Sequence, residues 1–402
     1  MAPVVDPQPV PSPHRSVVNA VAAGLLLLAG ASLVARTFLH WVNDTTPAGI
    51  RWVSSMDTDR VAAIRDALPR LAAKDEPAAF MLGPSTAFYG FLPDVFDETL
   101  RAGGVEVVSY NLGALGNVAA TDRLMVRRLG DAFAKTGRRP TLVILPFAPL
   151  AATVGFLEGR TRSHERKKAL LSTPAELLSL FFRHPHEATE LATLQLFGGI
   201  GPADSNSMLG KRMFLAPSWW FGRPDWKPGD WEQQSAKVNQ GYAPQLGKFD
   251  EATRGVFNPL MGNTLADYDR MAELAFIPGN LAKQFAFWGS TDFENVPIDP
   301  ERLDTFVMAV LEAKPIADTV VVVVPPNSDH VRPGPTGRAN VLAALAEITE
   351  RTGVAVVDLS EAPEFGPGDF VDFTHLKYNT GSPKFTRMLA EAVGPIIRDR
   401  AR

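Results

Sequence analysis

The chain predicts an α/β protein built on a doubly wound, parallel five-stranded sheet, because five short apolar runs alternate with segments of helical periodicity. Two further observations shape the expected architecture. A long interval between the third and fourth runs breaks the alternation and reads as a large insertion, and an uncharged apolar segment near the N-terminus reads as a transmembrane helix.

Residues 1–16 contain five prolines and read as a disordered tail that cannot pack by itself. Residues 17–35, from Val17 to Ala35, carry no charge and are flanked by His14-Arg15 and Arg36, which suits a transmembrane anchor. Ala29-Gly30-Ala31 also fits a small-residue cleavage site, so a cleaved signal is the alternative. With the short N-terminal tail inside, either version exports residues beyond about 40 to the periplasmic or extracellular side, and the anchor makes a single-pass inner or plasma membrane protein. Residues 36–74 form a linker in which Val61, Ile64, Leu68 and Leu71 recur at helical spacing, and this helix is expected to be exposed.

The strands are expected at Ala78 to Leu82, Val105 to Tyr110, Thr141 to Leu145, Thr319 to Val324 and Val354 to Val357. Helical patterns over Phe88 to Arg101, Val118 to Lys135 and Ala339 to Thr352 lie between them. The first part of the domain thus spans residues 75–150, the insertion 151–300 and the second part 301–402. The insertion is rich in aromatics, including Trp219-Trp220-Phe221, Trp226, Trp231, Phe285 and Phe287-Trp288, which pack it onto the sheet or line a glycan groove.

Charge and composition exclude several functions. Lys and Arg number 40 against 44 Asp and Glu, giving a net charge of −4 and no basic excess for nucleic acid. With no cysteine, disulfides, thiolate metal sites and catalytic thiols are absent. His164, His184 and His186 match no zinc spacing, and no metal or cofactor is implied.

In such a sheet the ligand site lies at the carboxyl ends of the strands. There the first run stops at Gly83-Pro84 and delivers Ser85 to the start of a helix, whose free amides can stabilise an oxyanion. A plain helix cap is the other reading of Ser85. Near the C-terminus Asp372-Phe373-Thr374-His375 places an acid and an imidazole on one short turn. A serine hydroxyl becomes a competent nucleophile when a neutral imidazole takes its proton, and a carboxylate fixes that imidazole's tautomer. These three residues make a candidate triad. His330 competes with His375 for the base role but has Asp329 directly beside it, an offset that turns the acid elsewhere.

The early Gly-x-Ser and the late Asp-x-x-His resemble the first and last sequence blocks of the SGNH hydrolase superfamily, and Asn111-Leu112-Gly113 is similar to the second block. The resemblance implies a flavodoxin-like sandwich, a catalytic triad of Ser85, Asp372 and His375, and an oxyanion role for the Gly113 amide. It departs at the third block, where Leu145-Pro146-Phe147-Ala148-Pro149 replaces the usual Gly-x-Asn-Asp and removes the customary oxyanion asparagine. Asn111 and Asn117 are the alternatives for that role. The departure, together with Val324-Pro325-Pro326-Asn327 and His375-Leu376, resembles the membrane-anchored type that works with membrane-bound O-acyltransferases, as in the D-alanyl-lipoteichoic acid biosynthesis protein D and alginate O-acetylation families.

That likeness implies an O-acyltransferase, acetyl being the expected group, acting on an envelope polysaccharide or glycan acceptor with a membrane-bound O-acyltransferase as partner. Asn327 is the candidate substrate contact, with Arg332 and Arg338 as further possibilities. An esterase passing the acyl group to water uses the same triad. A non-catalytic adaptor that holds glycan beside the membrane enzyme is the reading from a different class.

Overall fold

The structure is a computed structural model that describes residues 17–27, 30–31, 33–34, 56–153, 161–197, 276–279, 281–282 and 291–401. Its centre is a five-stranded, all-parallel sheet of order β2-β1-β3-β4-β5, with β1 at Ala78–Met81, β2 at Val108–Asn111, β3 at Leu142–Pro146, β4 at Thr319–Val324 and β5 at Ala355–Asp358. This is the flavodoxin-like order, in which the strand order reverses between β1 and β3. The three central strands are buried along their whole length. That explains why they read as unbroken apolar runs: helices cover both faces.

One face is covered by α1 (Met56–Ala73), α4 (Ala119–Ala134), α8 (Pro300–Ala313) and α9 (Pro335–Thr352); the other carries α2 (Ser85–Gly90), α3 (Pro93–Ala102) and α10 (Gly381–Ala401). Alternation along β1 divides the core between them: Ala78 and Phe80 face the first layer, Ala79 and Met81 the second.

Three local departures from the sequence expectation have physical causes. The helical pattern between β1 and β2 is two helices, because Pro93 at the start of α3 keeps Leu92 extended at φ −111° and ψ 102°. β2 starts at Val108, since the Val105 amide still donates to the Leu100 carbonyl at the end of α3. The expected exposed linker helix is α1, and it is not exposed: Val61, Ile64, Leu68 and Leu71 are each at most 1% accessible and sit in the core beside α4. Its apolar stripe makes it one of the four helices of that layer.

Within the expected insertion, α5 (Thr161–Leu171), α6 (Pro174–Phe181) and α7 (Pro185–Phe197) form a helical unit, with α5 packed against α1 and α4. Helix α6 begins with a reciprocal capping box between Thr173 and Glu176. Glu176 also pairs with Arg127 and Arg128 of α4, fastening the unit to the sheet domain. The aromatic residues singled out from Trp219 to Trp288 lie outside the described residues, as does the 1–16 tail.

Residues 17–27 are helical with exposed apolar side chains such as Leu26 and Leu27. Residues 28, 29, 32 and 35 of the expected anchor lie outside the described residues, and among those described no helix is long and apolar enough to cross a membrane.

Candidate active site

Gly83 ends β1 with φ at +122°, a left-handed conformation that glycine adopts without strain. The turn it makes is tight. A Cβ there would lie 2.1 Å from the Pro146 ring, so the proline that departs from the third block packs directly on this glycine. Pro84 follows in extended conformation, and Ser85 becomes the first residue of α2. The Ser85 amide, at the first helical position, has no acceptor within the helix by virtue of its place there.

On the opposite side, Asp372 and His375 share a turn closed by the Val371 amide on the His375 carbonyl at 2.9 Å. Asp372 Oδ1 accepts from the backbone amides of Thr374 at 2.9 Å and His375 at 2.8 Å. Its other oxygen, Oδ2, meets His375 Nδ1 at 2.7 Å. Across the ring, His375 Nε2 lies 2.7 Å from Ser85 Oγ. Residues 290 positions apart are thus joined in one hydrogen-bonded line.

Two tethers set that meeting. Ser328 in the loop after β4 donates from Oγ to the Phe373 carbonyl at 2.9 Å and from its amide at 3.2 Å, which holds the Asp-His turn to the sheet end. Ser382 and Thr386 of α10 donate to the carbonyls of Tyr89 and Gly90 at 2.9 and 3.0 Å, holding α2 to the helix that follows the turn. The Tyr89 ring also packs on the His375 imidazole, with centroids 4.9 Å apart.

Burial disfavours the charged form of Asp372. The charge of His375 and the hydrogen bonds from its ring and from the two amides outweigh that cost and hold the carboxyl below its ordinary range. Asp372 therefore stays an anion where an imidazole base needs one.

Gly113 lies against the helix that begins with Ser85: a Cβ would be 2.5 Å from the Phe88 nitrogen, so glycine is required here for close approach, and its φ is not positive. Its amide donates to Asn111 Oδ1 at 2.9 Å. Asn111 is fully buried, and its Nδ2 donates to the carbonyls of Ala87, Phe88 and Phe91 at 3.1, 3.1 and 2.8 Å. Both sequence-proposed oxyanion donors are thus engaged within the protein, where they brace α2. An oxyanion at Gly113 would compete with Asn111 Oδ1 for the amide.

Asn117 lies apart from this brace, in a cavity wall beside Pro84. Asn327 is half-buried in the loop after β4, next to the Ser328 that holds the Asp-His turn. His330 is exposed and stacks on Phe276, while Asp329 pairs with Arg332. Arg338 is engaged by Asp358 and Glu361 on the flank of β5.

Sequence reasoning missed Arg60. Only 2% accessible, it donates to the carbonyls of Gly113 at 2.6 Å and Asn111 at 3.0 Å, and its guanidinium lies 4.4 Å from the Phe88 ring centroid. Burial lowers its pKa to about 9, and the two carbonyls and the ring face keep a charged guanidinium satisfied. The signal was available: Arg60 stands four residues before Ile64, on the apolar stripe itself. A charge inside such a stripe needs a buried partner. Compared with known proteins, the chain matches no family model and no curated sequence.

Proposed function

We propose that the protein is a serine acyltransferase of the SGNH hydrolase type, which carries an acyl group on Ser85 and passes it to a hydroxyl acceptor. The single observation that supports this reading is the line from Asp372 Oδ2 to His375 Nδ1 and from Nε2 to Ser85 Oγ, 2.7 Å at each step. A helix-capping serine needs no imidazole, and an adaptor with a vestigial site needs no aligned carboxylate.

Chemically, His375 takes the Ser85 proton while Oγ attacks the ester carbonyl, forming the Ser85–acyl bond and breaking the bond to the donor alkoxide, which leaves with the proton from Nε2. The acceptor hydroxyl then gives its proton to Nε2 and attacks the acyl carbon; the Ser85–acyl bond breaks and Nε2 returns the proton to Oγ, which restores free Ser85. Asp372 keeps Nδ1 protonated and stabilises the imidazolium at both stages. The Ser85 amide, without an acceptor in its helix, is the donor that this reading assigns to the oxyanion.

Acetyl as the group, an envelope polysaccharide as acceptor, a membrane-bound O-acyltransferase as partner and anchoring by residues 17–35 complete the proposal. These parts rest on the resemblance of the sequence blocks and on the uncharged N-terminal segment. Water in place of the acceptor would make the same site an esterase. The test is mass spectrometry of the protein after exposure to a chromogenic acetyl ester. An acetyl adduct on Ser85, discharged faster by a soluble glycan than by buffer, is expected. Absence of any adduct overturns the reading, and discharge indifferent to glycan makes the protein a hydrolase.

A further inference from the structure

At the point where the sheet order reverses, the loops leaving β1 and β3 part and border a half-open cavity of about 110 Å³. Such switch points are where open α/β sheets hold their ligands. Pro84, the residue before Ser85, forms part of the wall, together with Pro146, Phe147 and Ala120 at the start of α4. The lining is mostly apolar.

Four polar side chains interrupt it: Arg302 and Thr305 of α8, and the buried Asn117 and Asp122, which are 2% and 3% accessible. Asn117 Nδ2 donates to Asp122 Oδ1 at 3.1 Å, and Asn117 Oδ1 has no partner among the described residues. A buried amide oxygen left without a donor is a costly feature that a ligand can relieve. Turning the amide over changes the atom but not the situation, because one of its two polar atoms meets Asp122 and the other is left over. A hydroxyl suits either arrangement, being both donor and acceptor. An anionic ligand fits less well, since the Arg302 guanidinium in the wall is already engaged by the Thr153 carbonyl and by Asp299. In size, a cavity of about 150 Å³ accommodates benzene, so the smaller volume here corresponds to about four carbons.

We propose that this cavity receives the chain of the acyl group carried on Ser85 and selects a hydroxyacyl group of about four carbons, whose hydroxyl pairs with Asn117. The inference rests on the acyl-enzyme reading of Ser85 and extends it to the class of acyl group transferred. It also gives the Pro146 departure a role, since the ring that packs on Gly83 lines the cavity floor of the same turn.

The experiment compares kcat/KM for nitrophenyl esters of acetate, butyrate, 3-hydroxybutyrate and octanoate. 3-Hydroxybutyrate is expected to exceed butyrate by about tenfold, and octanoate to fall well below both. In Asn117→Ala the preference for the hydroxyl should disappear. Because that change also removes a partner of Asp122, Ala120→Leu provides a second variant, in which the butyrate-to-acetate ratio should fall about tenfold as the cavity fills. Equal rates for butyrate and 3-hydroxybutyrate, or octanoate as good as butyrate, would overturn the proposal while an adduct on Ser85 keeps the acyl-enzyme reading intact. No adduct with any of the four esters would instead sink the acyl-enzyme reading, and this inference with it.

Discussion

The side-chain nitrogen of Asn111 donates to the Phe91 carbonyl at 2.8 Å, just beyond the end of the helix that begins with Ser85. With its bonds to Ala87 and Phe88, this makes one buried amide the main strut under that helix. Asn111→Leu keeps a similar volume but removes the side-chain donor from the Phe88 and Phe91 carbonyls and the acceptor of the Gly113 amide, while the Ala87 carbonyl keeps the Phe91 amide. We expect a loss of about 2–4 kcal/mol in urea unfolding and slower acylation of Ser85. Unchanged stability would mean that the helix does not depend on this strut.

For Asp372 the expected effect is on rate. Asp372→Asn retains the hydrogen-bonding shape but favours the wrong imidazole tautomer, and turnover of an acetyl ester should fall by up to about 10⁴-fold. Combined with Ser85→Ala, it should be no worse than Ser85→Ala alone, because members of a triad act as a unit. Wild-type rates in Asp372→Asn, after circular dichroism confirms folding, would end the triad assignment.

Gly83→Ala tests the turn before the nucleophile. Its φ of +122° and the 2.1 Å approach to the Pro146 ring leave no room for a methyl group. The expected cost is about 2 kcal/mol or more, with Ser85 displaced from His375. A double variant carrying Pro146→Gly as well should recover part of that loss, and equal stability of the two variants would show that the clash is not with the proline.

Asp122 makes the fold sensitive to pH. Burial pushes its carboxyl up to about 7, against the hydrogen bond from Asn117 and the charge of Lys167. The native protein holds a proton that the unfolded chain releases near pH 4, so stability should decline as pH rises from about 4 to about 7 and then level off. The span is at most roughly 4 kcal/mol. Asp122→Asn should flatten it, measured as the difference in melting temperature between pH 5 and pH 8. An undiminished difference would assign the pH dependence to another group.

Much of the sheet was legible because its central strands are buried on both faces, and burial writes itself into the chain as uninterrupted valine, isoleucine and leucine, as from Thr319 to Val324. Ser85, Asp372 and His375 were legible for a different reason: each sits in a short motif whose chemistry depends on neighbours in sequence, such as the three-residue offset that lets one turn carry both acid and base. Helix α1 was misread as exposed because an apolar stripe gives the face that is buried without giving the partner that buries it.

The sequence by itself determined the parallel α/β class, the strand-end serine and the acid-imidazole pair, since these follow from local periodicity and residue spacing. Only the tertiary structure decided that Asn111 braces the helix, that Arg60 lies beneath it, and that Pro146 closes on Gly83 beside a cavity. Those roles depend on which atoms meet across 51 positions for Arg60 and Asn111, and such meetings are set by how helices and strands pack. A hydrogen-bonding side chain advertises its capacity in the sequence, but the partner that uses it is chosen by the fold.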